Sequence, residues 1–144
     1  KRQELTTEGG LDIKKNFNSL KSVVSELQES KALISLFIEP DLNSIKLAKD
    51  LKVDAIELHT GKYAEAEVSN KEVYLNQIKT ASEYANKLSL VVNAGHGLDY
   101  TNVKEIARIK HMEELNIGHS IIAESIFLGL AEAIKKMKNL IESS

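Results

Sequence analysis

The sequence contains no cysteine and no tryptophan, only one proline, and no apolar run long enough to cross a bilayer. Without cysteine the chain forms no disulfide bonds and uses no thiolate nucleophile, which fits a cytoplasmic protein. A membrane-spanning helix needs about 20 consecutive apolar residues. The formal net charge of -2 gives no basic field for nucleic acid. We therefore expect neither a membrane nor a nucleic-acid partner.

The chain has 144 residues, which is the length of one ordinary domain. Its apolar content of 42% and charged content of 28% are typical of globular proteins. The first residue is not methionine, and the polar loop at residues 6–10 has no strand before it. We therefore expect an upstream segment that this sequence does not include.

Apolar periodicity predicts an alternation of helices and strands. The nearly continuous apolar run at residues 33–38 predicts a strand that is covered on both faces. Asp41 or Asn43 is expected to cap the helix that follows, and Asp99 or Thr101 a later one. The predicted order is helix 11–29, strand 33–38, helix to 51, strand 53–58, loop 59–70, helix 71–87, strand 88–94, helix 99–110, strand 114–117 and helix 120–141.

Strands that alternate with helices pair in parallel, with right-handed crossovers. Four such units form either a small open doubly wound sheet or half of an eight-stranded barrel. A complete barrel needs about 250 residues, so this chain is too short to form one alone. In both architectures ligands bind at the carboxyl ends of the strands.

Three of the four histidines lie just past predicted strands and close to glycines. Histidine exchanges protons near neutral pH, and glycine lets a ligand approach the backbone. The placement therefore predicts a site at the strand ends. The three strand-end strings are His59-Thr60-Gly61, Gly95-His96-Gly97 and Gly118-His119-Ser120.

The sequence allows more than one interpretation of several candidate site residues. Glu57, inside an apolar strand, is either an acid, base or electrostatic stabiliser, or one member of a structural ion pair. Gly118 and His119 precede the last helix, whose free amides favour an anion, although capping by Ser120 needs no ligand. Residues 6–10 either grip a phosphate or form a frayed end. No local metal-ligand spacing occurs, so we expect no metal site.

Five strings carry a resemblance in order along the whole chain, at residues 4–12, 35–38, 56–61, 92–98 and 114–122. They resemble the pyridoxine 5′-phosphate synthase family. The resemblance matches the later part of that family's barrel, from the loop after its fourth strand to its end. It implies an α/β fold, a (β/α)8 TIM barrel of which this chain supplies about the last four β/α units. Residues 1–144 would then be the carboxyl-terminal portion of a single TIM-barrel domain.

The resemblance implies an enzyme of vitamin B6 synthesis that works without a metal or organic cofactor. Its two substrates are 1-deoxy-D-xylulose 5-phosphate and 3-amino-2-oxopropyl phosphate, which it condenses to pyridoxine 5′-phosphate. It also implies an oligomer, in the form of a homo-octamer. Since further catalytic residues of the family belong to its earlier strands, we expect the 144 residues alone to be inactive.

Residue roles follow from the resemblance, motif by motif. Thr6 would contact the deoxyxylulose phosphate, Glu57 would stabilise charge in the transition state, and His96 would donate a proton. The aminooxopropyl phosphate would be held by Gly97, Gly118 and His119. The roles of Glu8 and His59 stay open.

Two other functions remain as alternatives. One is a non-catalytic, phosphate-binding half-barrel that associates through its open edges. The other is a phosphosugar isomerase or aldolase-like barrel, which shares the phosphate grip at the last strands. No lysine lies inside a predicted strand, which disfavours an aldolase that uses a Schiff base.

Overall fold

The structure, a computed structural model, describes residues 9–144; Thr6 and Glu8 lie outside this part. Helices and strands alternate along the described residues. No helix there is both long and apolar enough to cross a membrane. The elements are α1 (Ile13–Glu29), β1 (Ser35–Ile38), α2 (Leu42–Asp50), β2 (Ala55–His59), α3 (Gly61–Glu65), α4 (Val68–Lys87), β3 (Val91–Gly95), α5 (Val103–Ala107), β4 (Met112–Asn116), α6 (His119–Leu128) and α7 (Leu130–Glu142).

The four strands form one parallel sheet in the order β1-β2-β3-β4. His59 of β2 pairs with Gly95 of β3, and Gly95 pairs in turn with Asn116 of β4. The carboxyl ends of these strands therefore lie in one row. The predicted α/β alternation with parallel pairing is confirmed.

The two faces of the sheet differ in chemistry. One face is apolar and packs against the helices, and its members are Leu36, Ile38, Ile56, Leu58, Val92 and Ala94. The other face carries Glu57, Asn93 and Glu114, which pair side by side across three strands. The prediction that residues 33–38 are covered on both faces is wrong for the described residues, because Ser35 is exposed and Phe37 only half-buried. The apolar character of a run therefore does not establish that both faces of the strand are packed against other residues.

The first two helices each begin at an aspartate whose side chain caps the helix. The Asp12 carboxylate accepts a hydrogen bond from the Lys15 amide at 3.0 Å, and Asp41 accepts one from the Ser44 amide at 2.9 Å. Each bond satisfies an amide that has no partner within its own helix. Asp99 instead binds the amides of Thr101 and Asn102 in the turn before α5. The predicted helix over residues 99–110 is accordingly shorter.

Two further predictions are wrong in detail. The predicted loop 59–70 contains the short helix α3, and the predicted helix 120–141 is divided into α6 and α7 at Gly129. Ile126 of α6 and Ile134 of α7 are 78% and 41% exposed, although both belong to the apolar positions of these helices. Periodicity identifies an apolar stripe, but the partner that would bury it depends on the rest of the fold.

Gly129 has φ 78° and ψ 151°, a conformation that is essentially restricted to glycine. We predict that Gly129→Ala lowers the free energy of unfolding by about 1–3 kcal/mol, the usual cost of such backbone strain. Urea titration of the purified protein measures this. Lys138→Ala, an exposed helical change, should stay within about 0.5 kcal/mol. Equal stability of the two variants would contradict the assignment.

Candidate active site

A cleft of about 1040 Å³ opens at the carboxyl edge of the sheet, between the ends of β3 and β4. Four of the residues singled out in the sequence line it, namely His96, Gly97, Gly118 and His119. Glu57 does not line the cleft, but its carboxylate accepts a hydrogen bond from Asn116, which does. The structure therefore brings these residues to one edge of the sheet.

The side chain of Glu57 reaches Asn116 by passing over Gly95, which lies on the strand between them. The Asn116 amide donates to the Glu57 carboxylate at 2.8 Å, although their strands β2 and β4 are separated by β3. A Cβ at Gly95 would collide with the Glu57 carboxylate and would lie 3.0 Å from the Asn116 Cβ. Gly95 is thus required for space, because the carboxylate occupies the place of its side chain.

The environment of Glu57 disfavours its charged form. Burial raises the pKa of Glu57, and the Asn116 hydrogen bond and the nearby His59 and His96 only partly oppose the shift. Because the native pKa exceeds that of the unfolded chain, this group stabilises the fold at acidic pH. That contribution is lost as the pH rises through the native pKa. Glu57 is consequently tuned toward carrying a proton at a less acidic pH than an ordinary glutamate.

His96 occupies a left-handed backbone conformation with φ 81°, followed by Gly97 at 75°. The turn is fixed by its neighbours. The Thr60 hydroxyl lies 2.7 Å from the Gly95 carbonyl and 2.6 Å from the His96 carbonyl, and shares its one hydrogen between them. The Asn102 amide donates to the Gly97 carbonyl at 3.1 Å. An exposed imidazole is thereby held on a rigid backbone at the rim of the cleft.

His59 lies beneath His96 and is nearly fully buried, with 7% exposure. Its Nδ1 is 2.7 Å from a carboxylate oxygen of Glu39. Its ring centroid is 4.7 Å from that of His96 and 5.1 Å from that of Phe37, which it meets edge-on. Nε2 of His59 has no hydrogen-bond partner within the described part of the chain.

Glu39 connects three segments around this buried imidazole. Besides His59, its carboxylate accepts hydrogen bonds from the Lys62 ammonium at 2.8 Å and from the Gly10 amide at 3.3 Å. Burial alone would raise the pKa of Glu39, but the bonds from Lys62, Gly10 and His59 together hold it below the usual value. Glu39 thus stabilises the fold in its ionised form, a contribution lost as the pH falls through its native pKa.

The start of α6 also lines the cleft. Gly118 is the N-cap, and it provides no side-chain cap. The alternative in which Ser120 caps this helix is wrong, because its hydroxyl donates to the Leu98 carbonyl at 2.8 Å. The Ser120 bond instead ties α6 to the segment after His96. The helix start therefore offers amides and the positive end of the helix dipole to the cleft.

Sequence reasoning missed four residues that shape this site. Thr60 and Asn102 hold the His96 turn, Asn116 binds Glu57, and Glu39 binds His59. From the sequence, no role was assigned to Glu39. Its position directly after β1, at the edge that carries three histidines, was an available signal. Across residues 9–144 no three His, Asp or Glu side chains are grouped as metal ligands.

The hydrogen bond from Asn116 favours the ionised form of Glu57. We predict that Asn116→Ala raises the pKa of Glu57 further, because that bond is lost while the burial remains. A ¹³C NMR titration of the glutamate carboxyl groups measures the change. Asn139→Ala, at an exposed position on α7, is the control and should leave it unaltered. A lowered or unchanged Glu57 pKa in Asn116→Ala would refute the prediction.

Comparison with known proteins identifies relatives of this chain. It is 53% identical over 141 residues to a protein named pyridoxine 5′-phosphate synthase from Sulfurihydrogenibium sp. (strain YO3AOP1), covering 98% of this chain and 58% of the relative. It is 52% identical over 145 residues to one from Legionella pneumophila (strain Corby), covering 100% of this chain and 58% of the relative. A third, from Prochlorococcus marinus (strain AS9601), is 51% identical over 141 residues, or 98% of this chain and 59% of the relative.

The chain thus spans less than two thirds of the length of these relatives. A family model described as pyridoxal phosphate biosynthesis protein PdxJ matches residues 1–143. With this match and identities above 50% over nearly its whole length, the chain belongs to the PdxJ family.

Proposed function

We propose that this chain is the carboxyl-terminal portion of a pyridoxine 5′-phosphate synthase, contributing about the last four β/α units of a single TIM barrel. The identities to proteins of that name support the activity. The barrel is supported by the parallel sheet, which has one face packed on helices and one polar face. In a closed barrel that polar face would line the interior. On the family resemblance, the proposal also includes that the protein containing this chain is a homo-octamer in the cytoplasm.

The reaction joins the amine of 3-amino-2-oxopropyl phosphate to the ketone of 1-deoxy-D-xylulose 5-phosphate. Ring closure then releases inorganic phosphate and water. Each loss of water needs a proton delivered to a departing oxygen, and each phosphate needs a grip. The cleft brings imidazole, carboxylate and helix amides within one edge, which suits both demands.

His96 is the proposed proton donor. Its backbone is fixed by Thr60 while its ring remains exposed at the cleft. A general acid needs this combination, because the ring must reach the substrate from a defined position. Imidazole also exchanges protons near neutral pH.

Glu57 is the proposed stabiliser of charge in the transition state. Condensation of an amine with a ketone passes through cationic, iminium-like species, and a nearby carboxylate lowers their energy. The Asn116 amide fixes the carboxylate on the polar face of the sheet. A fixed anion needs little reorganisation as the positive charge develops.

Gly97, Gly118 and His119 are the proposed holders of the aminooxopropyl phosphate. All three line the cleft, and Gly118 has no neighbouring atom within 4 Å of where a Cβ would stand. Open space next to a helix start lets a phosphate approach the backbone amides. Thr6, outside the described residues, is proposed to contact the deoxyxylulose phosphate on the family resemblance alone.

The single observation that carries this proposal is the shared cleft of His96 and the α6 start, with Glu57 one hydrogen bond away. In the full-length protein that contains this chain, we predict that His96→Ala lowers kcat by about 10²–10⁴-fold, the usual contribution of a general acid. Glu57→Gln should lower it by about 10²–10³-fold, as for other lost electrostatic stabilisers. Pyridoxine 5′-phosphate formation from both substrates measures these rates.

His111→Ala is the matched control, because that histidine is exposed on the connection between α5 and β4. Its rate should equal that of the parent. Unimpaired turnover in both His96→Ala and Glu57→Gln would overturn the site assignment. Phosphate binding without any turnover by the parent would favour the non-catalytic half-barrel instead.

A further inference from the structure

We propose that Glu39 and His59 position His96, with the bare Nε2 of His59 accepting a hydrogen bond from the His96 ring nitrogen that faces away from the substrate. This inference rests on the proposed role of His96 as proton donor. It assigns functions to two residues: His59, which is buried next to His96, and Glu39, which is partly buried and contacts His59.

The first step is the tautomer of His59. An ionised carboxylate only accepts hydrogen bonds, so the 2.7 Å contact with Glu39 places a proton on Nδ1 of His59. Lys62 and the Gly10 amide occupy further sites on the same carboxylate and hold it in place. In a neutral imidazole the other nitrogen, Nε2, then carries a lone pair.

The second step is the position of Nε2. It is buried and without a hydrogen-bond partner among residues 9–144, although buried polar atoms are almost always paired. A Cβ at Gly61 would stand 2.8 Å from this nitrogen and 3.2 Å from Cδ2 of His96. Gly61 therefore leaves the space in which the edges of the two imidazoles meet.

The third step is the freedom of His96. Thr60 fixes the His96 carbonyl, whereas the His96 ring is exposed. We infer from this exposure that the ring can rotate about its side-chain bonds. Since the rings of His59 and His96 are already 4.7 Å apart between centroids, rotation of the His96 ring brings one of its nitrogens to Nε2. A proton donor held in this way by a second, oriented group is a recurring arrangement in active sites.

Kinetics of the full-length protein test the acceptor role. His59→Phe keeps an aromatic ring between Phe37 and His96 but removes the acceptor. We expect kcat to fall by about 10- to 100-fold with little change in KM, the range observed when the hydrogen-bond partner of a metal-bound histidine is removed. His59→Gln, which retains an acceptor near the position of Nε2, should recover most of the loss. His111→Gln is the matched control and should match the parent.

The role of Glu39 is tested in the same way. Glu39→Leu removes the acceptor for Nδ1 and should resemble His59→Phe, whereas Glu39→Gln keeps a carbonyl acceptor and should be impaired less. Full kcat in His59→Phe, or equal kcat in His59→Phe and His59→Gln, would overturn the proposal. A purely structural role predicts that the phenylalanine variant is the more active of the two.

An independent readout is ¹⁵N NMR of histidine-labelled protein with inorganic phosphate added. We expect His59 to carry its proton on Nδ1, and a coupling between ¹⁵N nuclei of His59 and His96 across the hydrogen bond. In Glu39→Leu, the preference of the His59 proton for Nδ1 and the coupling between His59 and His96 should both be lost. A proton on Nε2 of His59, or no coupling, would refute the positioning role even in an active enzyme. If the parent lacks synthase activity while both signals are present, the proposed function fails and the positioning pair stands.

Discussion

The parallel pairing of β2, β3 and β4, which shifts register once between Val92 and Asn93 where β3 meets β4, is the constraint on which the site depends. It places His59, Gly95 and Asn116 in one row at the carboxyl edge of the sheet. Residues that are 36 and 21 positions apart in sequence (95 − 59 and 116 − 95) become neighbours for this reason alone. A slip of one residue in any strand would exchange the polar and apolar faces, removing Glu57 from its edge and exposing the aliphatic core.

Gly61 and Gly95 have no side chain, and this leaves the space that lets the row carry several polar groups. The Glu57 carboxylate uses the space above Gly95, and the His59 and His96 rings meet beside Gly61. Fixed polar contacts then remove freedom: Thr60 holds the backbone of His96, Asn116 holds Glu57, and Glu39 holds His59. The side chains of Glu57 and His59 thus each have a partner that orients them, and His96 is held through its backbone; such fixed placement of polar groups is what electrostatic preorganisation consists of.

Much of this arrangement could be predicted from the sequence, because it follows from local rules. Alternating apolar periods predicted the parallel sheet, and the position of His96 after a strand predicted its edge. The partner of Glu57 could not be predicted in this way, since Asn116 lies 59 residues away and depends on register. The exposure of Ile126 and Ile134 could not be predicted for a similar reason, because periodicity does not identify which residues cover an apolar face.

The most direct measurement of the central claim is a crystal structure of the full-length protein with pyridoxine 5′-phosphate bound. We predict that the phosphate lies at the start of α6, against Gly118 and His119. The His96 imidazole should be within about 3 Å of an oxygen or nitrogen of the product, with Glu57 beside the ring. A product bound away from the carboxyl edge of this sheet, or one that contacts neither His96 nor α6, would contradict the claim.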